Sequence, residues 1–546
     1  MKSNFVSTRI TLTATLFLTT IIITPWISYD SINLAKFSIL SIGGSILCIQ
    51  LLVFRKSFFK KEFKTPVLIL CVFLIWQLIA FFNSNLNYIE GFFGVDGRKT
   101  GILTYLFFGV IFYISCIFSS QDQSRNFIKI LIVSGVLSTI YAFVQILNLD
   151  PFNWNTPYKP IFGFFGNSNF LASFVGMSAS ASLALILKRG SSRMIRLTLI
   201  VYIFSALFVI YKSESEQGYF VFLAGLLVTV YVFLKNSQRF KKYRVGYSLA
   251  VLSGFLTVVL DIFQKAPWKS ILYSPSISER GEFWRAAIKM TTDNPVTGIG
   301  LDGFRDSYNR YRDISAATRD PWTRVTSAHN VFLDISSGGG FPLLILYLLI
   351  VFMVIKSAIK VISSSTKPDL YFTALVSAWF GYLLQSIVSI NHLGIAIWGW
   401  AIGGAIVGYD IKSKLITGSI NSKTHSARNI SVAIGLIIGL LISTPELVKD
   451  AQFRAALKSG NGNRILEIAQ EWPQSMDRIN ITTGIFLENG LPKQAAQITY
   501  FGLKYNPDNF FGWRFLYSNS GITIEEKTLA LSRMQELDPL NPDLKS

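Results

Sequence analysis

Apolar runs of about 15 to 22 residues recur along most of this chain, broken by short stretches where Lys and Arg collect. A run of about 20 apolar residues is long enough to cross a bilayer as a helix. Spans are predicted near 9–27, 33–54, 65–83, 101–119, 128–147, 167–187, 197–211, 218–234, 245–262, 341–359, 369–389, 391–409 and 429–443. The predicted class is all-α: a polytopic membrane protein with about thirteen transmembrane helices. One large external helical loop is expected at about 263–340, and a soluble helical tail at the C-terminus. The division expected is a membrane domain over 1–445 and a tail domain over 446–546.

The tail has a different pattern. Apolar residues fall at helical spacing in short segments that end at Gly460-Asn461-Gly462, Trp472-Pro473, Gly490-Leu491-Pro492, Asn506-Pro507-Asp508 and Asp538-Pro539. Helix pairs closed by an Asn-Pro or Asp-Pro turn about 34 residues apart resemble tetratricopeptide repeats. A protein partner bound through the tail, or a cap on the membrane domain, are the two roles expected of it.

Charge supplies the topology. The chain carries 51 Lys and Arg against 31 Asp and Glu, for a net charge of +20. In a soluble protein that excess would suggest nucleic acid. Here only 15% of residues are charged and 51% are hydrophobic, so lipid is the expected solvent and nucleic acid is not an expected partner. One alternating set of loops is rich in cations, as in Arg55, Lys56, Lys60, Lys61 and Lys64, or Lys235, Arg239, Lys241, Lys242 and Arg244. The other short loops carry little beyond Arg98, Lys99, Lys159 and Lys212. Positive charge stays cytoplasmic and favours anionic headgroups. That places the N-terminus inside, and the long loop and tail outside, a bacterial inner membrane. Lys2 and Arg9 precede the first run, which reads as an uncleaved first helix. Cys48, Cys71 and Cys116 all fall in apolar runs, so neither a disulfide framework nor a cysteine metal site follows.

The long loop carries most of the candidate chemistry. Ser276 to Lys289 has helical spacing, with Ser276 and Glu279 as a capping box and Arg280 and Trp284 on one face. Asn294-Pro295 leads into Gly298-Ile-Gly300-Leu-Asp302-Gly303-Phe304, and Ser327-Ala328-His329-Asn330 follows, with Gly338-Gly339-Gly340 beyond it. Gly298, Gly300 and Gly303 fit a dinucleotide fingerprint, but no strand–turn–helix unit surrounds them, so a tight turn between loop helices is the better reading. The loop's ten bases nearly balance its eight acids, so anion binding there would depend on selected arginines.

Arg280-x3-Trp284, Pro295-x2-Gly298-x-Gly300-x3-Phe304 and Ala328-His329-Asn330-x2-Leu333, in that order within an external loop, resemble the O-antigen ligase and polymerase family. Gly91 to Leu103, with Arg98, resembles the family's first external loop. Gly166-Asn167-Ser168-Asn169 resembles its turn into the next helix. The resemblance covers about residues 10–410. It departs at Glu214-Ser215-Glu216-Gln217-Gly218, where family ligases often carry Ser-Arg and this chain has Gln217, and in a minor way at Leu343.

The resemblance implies transfer of a preassembled glycan from an undecaprenyl-diphosphate carrier to an acceptor hydroxyl, such as one on lipid A-core. No cofactor or metal is expected. A polysaccharide polymerase or a protein O-oligosaccharyltransferase of the same family are alternatives. A bicarbonate or other small-solute transporter is the alternative from another class. A diphosphate leaving group calls for guanidinium, which donates in a fork and stays charged; an acceptor hydroxyl calls for a base near neutrality, which histidine supplies. His329 is the expected base, one of three histidines with His392 and His425. Arg280 is the expected diphosphate ligand. Arg98, Asn330, Gln217 and Trp284 are candidate substrate contacts, with helix capping as the other reading of Asn330 and interfacial packing that of Trp284.

Overall fold

The computed structural model describes residues 6–152, 154, 161–188, 190–262, 275–365, 369–412 and 425–544. The first part of the external loop, 263–274, and Lys159 lie outside the described residues, as does the Ser276 side chain of the expected capping box. The described residues contain helices and no strand. A helix occupies each of the thirteen predicted span positions, from Val6–Ile21 to His425–Ser459. Ten of these are long and apolar enough to cross a membrane. Val6–Ile21 and Ile102–Phe118 are shorter, at 16 and 17 residues, and Arg244–Ile262 is not among the ten. Ile102–Phe118 has 15 buried residues, so most of its surface is covered by protein and it needs little hydrophobic match to lipid.

Lipid and Leu are equally apolar, so close backbone approach holds such a bundle together. Gly404 and Gly408 let Leu393–Lys412 meet Ile102–Phe118: a Cβ on Gly408 would lie 1.9 Å from the Cys116 carbonyl oxygen. Gly435 and Gly439, also four apart, let His425–Ser459 meet Asn33–Val53, and a Cβ at either would lie 2.4 Å from an Ile46 or Ile42 Cα.

The helix Val331–Ser364 is broken at Gly339 and Gly340, with Gly340 at φ 69° and Pro342 just beyond. The break frees backbone groups that need new partners at membrane depth. Trp76 Nε1 donates to the Gly339 carbonyl at 3.0 Å, and Phe341 N–H donates to the Pro295 carbonyl at 2.9 Å. The half-helix before the break therefore packs with the 275–340 loop, and the apolar half follows it.

The tail rests on that loop. The expected boundary at 445/446 falls inside the continuous helix His425–Ser459, which carries the chain from membrane to tail. Five helices follow: Gly462–Gln470, Met476–Glu488, Pro492–Tyr505, Phe510–Ser518 and Ile524–Leu537, each packed on its neighbour. Arg312 of the loop and Asp538 of the tail pair at 2.6 Å with both side chains fully buried. Arg312 also donates to the Asp320 and Pro321 carbonyls at 3.0 and 2.9 Å. Arg324 to Asp477 at 2.6 Å and Asn506 to Asp306 at 2.7 Å extend the interface.

Removing one partner of a buried pair leaves an uncompensated charge, so Asp538→Ala should destabilise the loop–tail assembly by about 3–5 kcal/mol. Glu467→Ala, which removes an exposed partner of Arg464, should leave stability unchanged. Denaturant unfolding of the purified full chain in detergent measures both. Equal effects would mean that Arg312 and Asp538 do not hold the tail.

Candidate functional site

The external loop has its own small core of Phe283, Ala286, Ala287, Met290, Phe304, Tyr308, Val325 and Ala328. These come from the helix Pro275–Asp293, the helix Phe304–Tyr311 and the segment ahead of Val331. The glycine-rich stretch between them is a turn: Gly298 and Gly300 have φ of 65° and 90°. A Cβ on Gly298 would lie 2.4 Å from the Ser337 carbonyl oxygen, and Ile299 N–H donates to that oxygen at 2.8 Å. The glycines thus let the turn press against the broken helix, in keeping with the tight-turn reading.

Asp302, within that turn, organises the first external loop. Its carboxylate accepts from Val95 N–H at 3.1 Å and from Thr100 Oγ1 at 2.6 Å. Arg98, on the same loop, lies 3.8 Å from Asp302 and 3.3 Å from Asp334, and donates to the Thr326 carbonyl at 2.7 Å. Burial opposes the charge of Arg98, and Asp334 and Asp302 more than offset it, so its pKa lies above the ordinary arginine value. Asp334 also accepts from Ala328 N–H at 2.8 Å, which holds down the turn that carries His329.

His329 sits at φ 52°, a left-handed conformation uncommon outside glycine. Its N–H donates to Ser327 Oγ at 3.2 Å, and its ring lies 5.7 Å from that of Phe283. Burial, then the charges of Arg280 and Arg98, pull its pKa down to about 4, so at neutral pH its imidazole is uncharged and can accept a proton.

Arg280 is partly buried on Pro275–Asp293. The carboxylates that could have neutralised it are engaged elsewhere: Arg319 pairs with Glu279 at 3.0 Å and with Glu282 at 2.7 Å. Among the described residues no carboxylate lies within ion-pair distance of Arg280. Burial lowers its pKa, partly offset by Glu216 and Glu279. A half-buried guanidinium with no carboxylate in ion-pair distance among the described residues suits a site for an anion. Glu216 belongs to the first turn of Glu216–Asn236, so this membrane helix begins close to Arg280. Gln217, next to it, is buried, and its Oε1 accepts no hydrogen bond among the described residues. Ser215 Oγ donates to Asn169 Oδ1 at 2.7 Å, which joins this helix start to the Asn167–Asn169 turn.

The expected site residues therefore divide. His329, Arg280 and Arg98 come together, with Gln217 close by. Arg98 is committed to Asp334, Asp302 and Thr326, which suits holding the site more than gripping a ligand. Asn330 caps the helix Val331–Ser364, its Oδ1 accepting from Phe332 and Leu333 N–H at 3.0 and 3.1 Å, as its capping reading has it. Trp284 is only 6% exposed, too covered to serve as an open sugar platform. Asp302, Asp334 and Glu216 received no role from the sequence. Asp334, four residues after Asn330 on the same helix, was the legible one, since that spacing places it under the His329 turn.

Residues 200–348 match the family model described as O-antigen ligase. The match runs from within Arg193–Lys212, through the external loop, to just past the helix break. It includes Gln217, Arg280, Trp284, His329 and Asn330, while Arg98 and the tail lie outside it. No curated protein matches the chain.

Because Gly340 has φ 69° and a Cβ there would meet the Val296 carbonyl oxygen at 2.4 Å, Gly340→Ala should loosen the turn from the broken helix. The left-handed strain alone costs about 1–2 kcal/mol. A lower melting temperature than wild type is expected in detergent. Gly246→Ala, in open space on a helix, should not lower it. Equal melting of Gly340→Ala and wild type would show that the break is not required for docking.

Proposed function

We propose that this polytopic membrane protein, which carries an O-antigen ligase domain at residues 200–348, is a glycosyltransferase of ligase type. It transfers a preassembled glycan from undecaprenyl diphosphate to an acceptor hydroxyl on the external side of the inner membrane, with lipid A-core as one such acceptor. The observation that carries this reading is that a covered His329, held in its turn by Ser327 and Asp334, lies within electrostatic reach of a half-buried Arg280 that makes no ion pair among the described residues. Arg280 binds the diphosphate and stabilises the charge that builds on it as the glycosidic bond breaks. His329 accepts the proton of the acceptor hydroxyl as it attacks the anomeric carbon. The transfer uses protein groups alone and calls for no metal. Arg98, through Asp334, holds the His329 turn in register. The tail caps the loop and keeps these groups at the membrane surface.

The charges around His329 make its basicity depend on the substrate. In the free protein two cations depress its pKa, and a bound diphosphate would cancel part of that effect and raise it. The deprotonated imidazole is the active form, so rate falls as pH drops through the pKa. The profile of kcat/KM should break near pH 4 and stay level above it, while kcat breaks at higher pH. Coincident breaks would mean that diphosphate does not bind beside His329.

Reconstituted protein with an undecaprenyl-diphosphate-linked oligosaccharide and acceptor tests the assignment directly. His329→Ala should lose at least ~10²-fold in rate. Arg280→Ala should lose roughly 10- to 100-fold in kcat/KM, with Arg280→Lys only partly restoring it because an ammonium cannot donate in a fork. Wild-type rates from both folded alanine variants would remove these residues from the mechanism.

A further inference from the structure

The end of the bundle away from the tail holds a groove that this activity does not use. The helix Val6–Ile21 leads toward the tail: Asp30 N–H, shortly after it, donates to Asp450 at 3.1 Å. Its first turns, with Arg9, therefore face the opposite leaflet. There it packs against Gln121–Ile146, and a cavity of about 520 Å³ opens between the two helices. Ile10, Phe17, Ile130 and Val133 give it an apolar floor. Between Ile10 and Phe17 the helix rises about 10 Å, enough to lie along several methylenes of a chain. Arg9 and Lys129 line the same groove, and no carboxylate does.

Both cations are exposed, and among the described residues neither makes an ion pair. The Arg9 guanidinium sits 5.2 Å from the centroid of the Phe118 ring, which helps to fix its direction. Lys129 is in the third turn of its helix, deep enough that its stem must lie along apolar surface while its ammonium reaches toward the headgroups. An apolar groove whose lining also holds two exposed cations matches a ligand with an acyl chain and an anionic head. Basic pockets between membrane helices bind such headgroups.

We propose that this groove binds one anionic diacyl phospholipid of the leaflet opposite the tail. Its phosphate lies between Arg9 and Lys129, and one acyl chain runs along Ile10, Phe17, Ile130 and Val133. Two surface cations favour an anionic over a zwitterionic lipid by roughly 10- to 30-fold.

The test is native mass spectrometry of the delipidated full chain in neutral detergent, titrated with phosphatidylglycerol, phosphatidylcholine or undecaprenyl phosphate. Wild type should retain one phosphatidylglycerol at about one-tenth or less of the phosphatidylcholine concentration needed for the same occupancy. Arg9→Ala with Lys129→Ala should abolish that preference, while Arg55→Ala with Lys56→Ala, which removes two other exposed cations, should keep it. Val133→Trp fills the groove and leaves both cations, so it should lose the retained lipid while melting like wild type. Equal retention of phosphatidylglycerol and phosphatidylcholine by wild type overturns the proposal. So does a phosphatidylglycerol preference that survives in the Arg9 and Lys129 double variant, or undecaprenyl phosphate displacing phosphatidylglycerol at lower concentration.

Discussion

The buried contact of Arg98 with Asp334 and Asp302 is the constraint on which the loop-and-tail half of this protein depends. Each member belongs to a different part of the chain: the first external loop, the glycine-rich turn, and the half-helix above the break. None could be buried alone, because an isolated charge in such surroundings is too costly. Together they fix two backbone segments, the first loop through Val95 and Thr100 on Asp302, and the stretch before His329 through Thr326 on Arg98 and Ala328 on Asp334. His329 follows directly from the last of these, so its left-handed conformation is held by a partner outside its own turn.

The same logic of distributed charge extends outward. Lys99 contacts Asp96 at 2.9 Å and also Glu446, on the helix that leads into the tail. Arg305 joins Glu90 at 2.7 Å and lies 3.7 Å from Asp477 of the tail. The arginines of these loops are thus mostly internal partners: Arg305, Arg312 and Arg319 face carboxylates, and so does Arg98, which the sequence offered as a substrate contact. Arg280 stands apart because Arg319 engages the two acids beside it. The loop reaches its near balance of charge while leaving one half-buried guanidinium, that of Arg280, without an ion pair among the described residues.

How much of this was legible depended on the range of the interaction. Helices stand at all thirteen predicted span positions because apolar runs report a local property, and ten of them are long and apolar enough to satisfy transfer into lipid by themselves. The turn role of Gly298 and Gly300 was legible for a similar reason, since their spacing without a neighbouring strand left little else. The residues that organise the site were not, because their partners are remote: Arg98 meets Asp334 across 236 positions. Sequence spacing cannot show that Arg319 rather than Arg280 binds Glu282. Asn330 was legible as a cap as readily as a ligand, and its hydrogen bonds to Phe332 and Leu333 N–H are those of a cap. The continuity of His425–Ser459 across the expected domain boundary was also hidden, since Pro445 inside it reads as punctuation.

The pairing of Arg312 with Asp538 has a temporal side. The two residues are 226 positions apart, so at about 5–20 residues per second the carboxylate follows its guanidinium out of the ribosome by roughly 11–45 seconds. During that interval Arg312 has to stay hydrated, because it cannot be buried before its counter-charge arrives. The contact around Arg312 therefore closes only after the chain has been made as far as Asp538, which follows the helix Ile524–Leu537. A chain cut before Asp538 would lack the charge that seals this contact.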